Sequence, residues 1–192
     1  MKVELLSGNG TRQRQPELTA LLADAVEHGA RLGFSPPLDR AAADAYWLEA
    51  AGAVARGEKE LLVALDERGR VVGSAQLLLN PMLVGPDRAQ VQKVMVKHSC
   101  RGRGIGAALM ARIEQAAGAN GRSVLVLDTT TGASGASAFC RRLGYQSAGD
   151  LTSRPPVSGG RPLNSTTFVK SLPAPGPFAA PGASLPPMAA AS

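Results

Sequence analysis

The segment Arg101-Gly-Arg-Gly-Ile-Gly106 combines three glycines and two arginines directly before a predicted helix. Glycine has no Cβ atom, so successive backbone N–H groups in such a turn can converge on one point. The N-terminus of a helix carries about half a positive charge, and Arg101 and Arg103 add two full charges. This combination favours a highly charged anion, and a pyrophosphate suits it. The alternative interpretation is a glycine-rich connection with exposed arginines.

The same turn also satisfies the spacing of a dinucleotide-binding fingerprint. Gly102-x-Gly104-x-x-Ala107 follows a predicted strand, and Asp128 comes about 25 residues later. That fold places the fingerprint after its first strand and continues with several βα units, whereas fewer than 70 residues remain here before the C-terminal tail. The sequence contains neither the Gly-Lys-Ser/Thr of a Walker A loop nor a Gly-x-Ser-x-Gly nucleophile elbow. An NAD-dependent oxidoreductase is therefore a distant alternative.

Helices and strands alternate irregularly around this turn. Apolar residues at helical spacing predict helices over 17–32, 38–55, 104–117 and 133–143. Strand-like patterns predict a hairpin at 61–65 and 71–79, then strands at 88–97, 123–127, 145–149 and 165–169. The chain has no internal repeat, and this mixed α/β (α+β) order predicts one sheet flanked by helices.

Length and composition predict one folded domain. The chain has 192 residues, of which 44% are hydrophobic and 19% charged, enough for a single core. Residues 173–192 contain six Pro and seven Ala and carry no charge. We therefore expect a domain over 1–172 and a disordered Pro/Ala-rich tail over 173–192.

The net charge of +6 is unevenly distributed along the chain. Residues 1–90 contain ten Lys or Arg against twelve Asp or Glu, whereas residues 91–192 contain eleven against three. The second half therefore favours an anionic ligand. The basic residues are dispersed and only 4% of the chain is aromatic, so a nucleic acid partner is not predicted.

Other sequence features bear on location and metals. No apolar run reaches the roughly 18 residues of a membrane span, and the first residues lack an apolar signal segment, so we expect a cytoplasmic protein without a membrane partner. Cys100 and Cys140 are expected to be reduced thiols there. His28 and His98 are far apart and no metal-binding motif is present, so no metal is predicted.

Two segments resemble the GNAT acetyltransferase superfamily. Residues 94–106, Val-Met-Val-Lys-His-Ser-Cys-Arg-Gly-Arg-Gly-Ile-Gly, resemble its acyl-CoA signature, Arg/Gln-x-x-Gly-x-Gly/Ala. The signature positions are held by Arg101, Gly104 and Gly106. Phe139-Cys-Arg-Arg-Leu-Gly-Tyr145 resembles the superfamily's Phe-Tyr-x-x-x-Gly-Phe/Tyr segment. The likeness extends over roughly residues 17–172.

The resemblance implies a GNAT fold, a bent, mixed and mainly antiparallel sheet flanked by helices and splayed between strands 4 and 5 to admit acetyl-CoA as cosubstrate. It implies that the main chain of Val94, Met95 and Val96 binds the pantetheine arm and the thioester carbonyl. It also implies a pyrophosphate site formed by Arg101, Gly102, Arg103, Gly104, Ile105, Gly106 and Ala107. An amine of a small molecule, or as second choice a hydroxyl, then attacks the thioester directly. Family habit implies a homodimer.

Acetyl transfer also requires groups that move protons. Many superfamily members have a tyrosine in reach of the leaving sulfur where this chain has Cys140, whose shorter thiol would need a bridging water. A relative has Glu where this chain has Gln90, and an amide cannot act as a base. Asp128 at the end of strand 5 is therefore the predicted catalytic carboxylate, with a cap for the turn at 129–132 as the alternative. For Cys140 the alternative is a buried core cysteine.

The acceptor site is expected near Tyr46 and Trp47, on the two helices that border it in this family. We interpret these residues as a core aromatic beside a solvated helix face; the alternative is an aromatic and acidic lining that would favour a cationic amine, and the identity of the acceptor stays open. The acidic residues concerned are Asp24, Glu27, Asp39 and Asp44.

A second function stays open at this point, namely a GNAT-fold module that binds acyl-CoA with little or no catalysis. It is motivated by Gln90 and Cys140, which replace groups that relatives use. The two functions differ in whether acetyl-CoA binding is accompanied by transfer to an acceptor.

Overall fold

The computed structural model describes residues 1–30, 32–130, 135–152 and 164–173 of the chain. The strands are β1 (Lys2–Leu6), β2 (Lys59–Leu65), β3 (Val71–Leu78), β4 (Arg88–Val96), β5 (Val124–Thr130), β6 (Gln146–Thr152) and β7 (Asn164–Ser171). The helices are α1 (Gly8–Gln13), α2 (Gln15–Glu27), α3 (Arg40–Ala55), α4 (Pro81–Val84), α5 (Ile105–Ala119) and α6 (Ala136–Arg142). Most of the predicted 173–192 tail lies outside the described residues.

All of these strands form one sheet in the order β1-β2-β3-β4-β5-β7-β6. Neighbouring strands run antiparallel except for β4 and β5, which are parallel. The parallel pairing extends from Arg88 opposite Val124 to Val91 opposite Leu127, although both strands continue beyond it. The register therefore confirms the predicted mixed, mainly antiparallel sheet and its separation between strands 4 and 5.

The helices begin and end where local side chains satisfy the backbone. The Asp39 carboxylate accepts the N–H groups of Ala41 and Ala42 and thereby caps α3. The helix predicted over 17–32 ends at Glu27, because the Ala30 N–H bonds back to the Ala25 carbonyl and closes the last turn. In the described ranges no helix has the length and apolar character needed to cross a lipid bilayer.

Two elements precede the first predicted helix. Strand β1 pairs with β2 at the edge of the sheet, and Ser7 caps the short helix α1 by accepting the Gly10 N–H. A Cβ atom at Gly8 would lie 2.8 Å from the Ala51 carbonyl oxygen on α3. The glycine therefore permits close packing of α1 on α3, a reason that local helix propensity does not reveal.

The core consists of two clusters of buried side chains on the two faces of the sheet. One lies between the sheet and α5 with α6, and includes Leu109, Ile113, Leu125, Cys140 and Phe168. The other lies beneath α2 and α3, and includes Leu18, Leu22, Trp47, Leu61 and Met95. The sheet is therefore covered on both faces, and the separation of β4 from β5 opens between the covers.

Candidate active site

A cleft of about 640 Å³ opens where β4 and β5 separate. It is bordered by the second half of β4, the loop before α5, the end of β5 and helix α6. Most of the predicted site residues line it, namely Val94, Met95, Val96, Arg101, Gly102, Gly104, Ile105, Gly106, Ala107, Asp128 and Cys140. Arg103 is exposed on the same loop but is not among the lining residues.

A β-bulge interrupts β4 beside the cleft. Gln92 pairs with Gln76 and Met95 with Ser74, so two residues of β4, Lys93 and Val94, lie opposite one residue of β3. Lys93 adopts a positive φ of 50° at this point. Further along, the Lys97 N–H bonds to the Val72 carbonyl on β3. Because N–H directions alternate along a strand, the N–H groups of Val96 and Val94 face away from β3, toward the cleft.

The loop between β4 and α5 presents backbone donors at the other border of the cleft. Gly102 and Gly104 both have φ of +77°, a conformation that favours glycine, and α5 begins at Ile105. The first helical hydrogen bond runs from the Ala108 N–H to the Gly104 carbonyl, which leaves the N–H groups of residues 105–107 directed out of the helix start. The Arg101 Nε donates to the Val96 carbonyl at 3.3 Å and fixes the loop to β4.

Gly106 is required for a different reason. A Cβ atom there would lie 3.2 Å from Cζ of Phe139 on α6, whereas a Cβ at Gly102 or Gly104 would have no described atom within 4 Å. The first turn of α5 is therefore packed against α6 at Gly106, while the space beside the two loop glycines is open to a ligand.

Asp128 is exposed at the end of β5, just beyond the last pair of the parallel ladder. One carboxylate oxygen accepts the Thr167 hydroxyl at 2.6 Å, and the other accepts the Gln90 Nε2 at 3.3 Å. Gln90 in turn accepts the Gln92 Nε2 at 2.9 Å. The carboxylate is thus oriented from β4 and β7. The alternative cap reaches residues 131 and 132, which lie outside the described residues.

Cys140 lies on α6, is 4% exposed, and belongs both to the core and to the lining of the cleft. The two interpretations of this residue are therefore compatible. Burial raises the pKa of its thiol, which consequently stays protonated at neutral pH. Cys100 is half-buried and also lines the cleft.

None of the four acidic residues considered for the acceptor site lines the described border of the cleft. Asp24 accepts the His98 N–H at 2.7 Å, and Asp39 caps α3. Asp44 accepts the Thr19 hydroxyl at 2.7 Å, and this hydrogen bond lowers the pKa of the Asp44 carboxyl. Glu27 is exposed and does not line the cleft. Asp24, Asp39 and Asp44 thus bind other parts of the fold, which agrees with the interpretation of a solvated helix face beside a core aromatic.

Both members of the predicted aromatic pair belong to the core beneath α2 and α3, and neither lines the described border of the cleft. Trp47 is fully buried beneath α3, whereas Tyr46 is half-buried and its hydroxyl donates to Gln76 Oε1 at 2.7 Å. The two rings contact each other edge to face, 5.1 Å apart.

The histidines, distant in sequence, are in contact. The rings of His28 and His98 stack with centroids 3.8 Å apart and planes 10° from parallel. His28 lies just after α2 and lines the cleft, and His98 begins the turn that leads into the glycine-rich loop. Among the described residues no group of three or more His, Cys, Asp or Glu is arranged to hold a metal ion.

Sequence reasoning missed two lysines that lie near the ring of Tyr46. Lys93 lines the cleft, and its Nζ donates to the Leu32 carbonyl. Lys59 Nζ donates to Gln76 Oε1 at 2.9 Å. Burial lowers the pKa of both ammonium groups, and the charge of Lys59 lowers that of Lys93 further. The two lysines lie on different strands, and no local pattern joins them.

Comparisons with known proteins agree with this fold. Residues 23–145 match the Acetyltransferase (GNAT) family. A ribosomal-protein-alanine N-acetyltransferase from Brucella melitensis is 27% identical, with 90% of this chain and 100% of that chain covered at a TM-score of 0.70. A phosphinothricin acetyltransferase from Sinorhizobium meliloti, solved in complex with AcCoA, is 21% identical, with 90% and 89% covered at a TM-score of 0.68. An N-acetyltransferase from Staphylococcus aureus is 19% identical, with 90% and 100% covered at a TM-score of 0.70. The family match spans well over half of the sequence, and the chain therefore belongs to the acetyltransferase (GNAT) family.

Proposed function

We propose that this GNAT-family N-acetyltransferase transfers the acetyl group of acetyl-CoA to an amine of a small molecule, with a hydroxyl as the second choice. The observation that carries the proposal is the cleft between β4 and β5. Backbone N–H groups of Val94 and Val96 face it from one border, and the start of α5 faces it from another. Acetyl-CoA carries its thioester, its polar pantetheine arm and its pyrophosphate in this order, so it can accept hydrogen bonds first from β4 and then from the start of α5.

In this proposal the pyrophosphate lies at the loop and first turn formed by residues 101–107. The helix start contributes N–H donors and the positive end of the helix dipole, and Arg101 and Arg103 contribute charge. The pantetheine arm runs beside Val94, Met95 and Val96, as an added strand next to the unpaired half of β4. The arm thereby forms hydrogen bonds with the half of β4 that does not pair with β5.

The chemistry follows from the groups at the centre of the cleft. The acceptor nitrogen attacks the thioester carbonyl, and the N–H groups of β4 stabilise the oxyanion of the tetrahedral intermediate. Asp128 takes the proton that the amine loses as the C–N bond forms. The C–S bond then breaks, and the Cys140 thiol returns a proton to the CoA thiolate, directly or through a water.

A small-molecule acceptor is supported by the segment that covers the cleft. His28, Gly29, Ala30 and Leu32 line it, and the hydrogen bond from Lys93 to Leu32 fixes this cover to β4. Residues 88–128, with the later segments 160–164 and 167–172, resemble the tabtoxin-resistance acetyltransferase. The Brucella relative is named for a protein acceptor, so a peptide amine belongs among the acceptors tested.

Equilibrium titration with acetyl-CoA, with NADH as control at the same ionic strength, tests the proposal. Saturable binding of acetyl-CoA without NADH binding, followed by acceptor-dependent release of the CoA thiol, is the expected result. Failure to bind acetyl-CoA would overturn it. Binding with no release of CoA to any amine would instead favour the acyl-CoA-binding module.

A further inference from the structure

Two ammonium groups lie near the same aromatic ring, and one of them, that of Lys93, also contacts the α2–α3 segment. The Nζ atoms of Lys93 and Lys59 are 5.0 and 5.7 Å from the ring centre of Tyr46. Lys93 Nζ is also 5.8 Å from the ring centre of Phe34. Each contact is a cation–π interaction. Lys93 places its positive charge at the border of the cleft, whereas Lys59 lies outside the described lining.

This charge has no direct counter-ion in the described part of the chain. Neither lysine forms an ion pair with a carboxylate, and their hydrogen-bond acceptors are the neutral oxygens of Leu32 and Gln76. The carboxylate of Glu49 acts on Lys59 only through space. A half-buried charge without a partner is unfavourable, and an incoming anion would remove that cost.

A second, independent observation is that the Gln76 side chain leaves one hydrogen-bond donor without an acceptor in the described ranges. The residue is fully buried, and its Oε1 accepts both the Tyr46 hydroxyl and the Lys59 ammonium. Because an ammonium only donates, the oxygen must face Lys59, and the amide nitrogen points elsewhere. That nitrogen has no hydrogen-bond partner among the described residues.

The anion at Lys93 is distinct from the phosphates of CoA in the proposed binding mode, because those phosphates bind to the N–H groups at the start of α5, at another border of the cleft. Lys93 contacts Leu32, Phe34 and Tyr46 on the α2–α3 face. The glycine-rich loop leads into α5, which packs on the other face. An anion that reaches Lys93 through the cleft therefore belongs to the acceptor.

Asp128 provides a charge of the opposite sign at the other end of the proposed acceptor site. Asp128 bonds to Gln90, which lies three residues before Lys93, roughly 10 Å along the strand. Gln92 lines the cleft between them and bonds to Gln90. A carboxylate at one end and an ammonium at the other match a molecule that carries both charges.

We propose that the acceptor is an amine that also carries a carboxylate or a similar acid group, and that Lys93 is the specificity-determining residue that binds this acid. The inference rests on the proposed acetyl transfer and adds the substrate class. The acid pairs with the Lys93 ammonium, while the amine lies at Asp128 and the thioester.

Matched amines that differ only in the acid group test this inference. The pairs are glycine and glycinamide, β-alanine and β-alaninamide, and γ-aminobutyrate and γ-aminobutyramide, with an alanine-initiated peptide amide as a neutral protein-like acceptor. CoA release is measured for the wild type, Lys93→Met, Lys93→Arg and the remote control Lys2→Met, which is exposed on β1. Melting temperatures establish that each variant is folded.

We expect the wild type to use at least one acid about tenfold better in kcat/KM than its amide. Lys93→Met should abolish that preference, because it lowers the value for the acid much more than the value for the amide. Lys93→Arg should retain it, and Lys2→Met should behave as wild type. Equal use of acids and amides, an equal loss for both in Lys93→Met, or best use of the peptide amide would overturn the inference.

A binding measurement covers the case in which none of these amines is acetylated. Calorimetric titration of the CoA-loaded protein should then show an acid that binds more tightly than its amide, with the difference lost in Lys93→Met. Absence of any such difference overturns the inference. Failure of acetyl-CoA itself to bind would overturn the proposed function instead, so the two failures are distinguishable.

Discussion

The Gln90 side chain donates to the Asp128 carboxylate across the gap between β4 and β5, with 3.3 Å between Nε2 and Oδ2. Gln90 still pairs within the parallel ladder, opposite Val126, whereas Asp128 lies just beyond its end. Gln90 cannot act as a base, but its amide orients the Asp128 carboxylate, which we propose as the base. The Thr167 hydroxyl donates to the other carboxylate oxygen. Each oxygen thus accepts one hydrogen bond and can still accept a proton or an N–H group of the substrate amine.

Replacement of Asp128 by Asn should lower kcat about 100-fold, because the amide cannot take the proton from the amine. The affinity for acetyl-CoA and the melting temperature should change little, since the residue is exposed. Asp150→Asn is the matched control, because Asp150 also accepts a threonine hydroxyl on this sheet, at 2.7 Å, but does not line the cleft. Steady-state kinetics and thermal melts of both variants decide between catalysis and a structural role. A large loss of stability in Asp128→Asn with kcat preserved in the folded fraction would contradict the catalytic assignment.

The double variant Arg101→Glu/Arg103→Glu should weaken acetyl-CoA binding at least tenfold and leave the fold intact, because both side chains are exposed and would repel the pyrophosphate. The loss should shrink at high ionic strength. Arg12→Glu/Arg68→Glu makes the same change in net charge at exposed residues away from the cleft. If both double variants bind acetyl-CoA equally well, the phosphate does not lie at this loop.

Gly106→Val should destabilise the protein by about 1–3 kcal/mol and reduce acetyl-CoA affinity, since its Cβ would lie 3.2 Å from Phe139 Cζ and force α5 away from α6. The second change Phe139→Leu should restore part of both losses. Gly118→Ala on the same helix meets no described atom within 4 Å and should stabilise the protein by about 0.5–1 kcal/mol. Urea denaturation measures both effects. Wild-type stability in Gly106→Val would show that the two helices are free to separate.

The role of Cys140 has a signature in the pH dependence of kcat. A proton donor must be protonated, so its contribution persists at neutral pH and is lost as the pH rises through the thiol pKa, which burial has raised. Cys140→Ser should lower kcat about tenfold and remove this decline at high pH. Cys100→Ser, at the half-buried thiol that also lines the cleft, should retain it. Identical profiles for the wild type and Cys140→Ser would leave Cys140 as a core residue only.

The buried ammonium of Lys93 should make stability depend on pH. Burial and the nearby charge of Lys59 lower its pKa, so between that lowered value and the ordinary lysine value the unfolded chain binds more protons than the folded one. Stability contributed by this residue therefore rises with pH in that range. The difference in unfolding free energy between wild type and Lys93→Met should shift in favour of the wild type from about pH 7 to about pH 10, as measured by urea denaturation. Tyr46, whose pKa burial raises, is present in both proteins and largely cancels. A shift in favour of Lys93→Met would show that Lys93 is stabilised in its charged form.

Local sequence patterns were sufficient to predict many of the strands and helices of this molecule. The hairpin of β2 and β3, the strand β4 and the helix α5 follow from periodicity and turn residues that lie close together in the sequence. The loop from Arg101 to Gly106 was found in the same way, because its glycines and arginines are contiguous. Asp128 was chosen because it ends a predicted strand at the position that the family resemblance implies for a carboxylate, and the structure places it in the lining of the cleft.

The charge character of the acceptor site could not be predicted, because it depends on contacts between distant segments. Helical spacing shows that Asp24 and Asp44 are on polar faces, but not that they bind His98 and Thr19. Lys59 and Lys93 approach each other only through the pairing of β2, β3 and β4 and the ring of Tyr46. The bulge in β4 could not be predicted from the sequence either, because the residue with positive φ is a lysine and not a glycine.

That bulge has a consequence for how the strand tolerates change. Before it, Ala89 and Val91 pack toward α5, whereas after it Met95 packs toward α2 and α3, so odd-numbered positions exchange faces. One extra residue thus sets the phase of alternation for the whole second half of β4. Substitutions at Lys93 alter one side chain, but deletion of that residue would rotate every later position of the strand to the opposite face and undo the cleft and the core together.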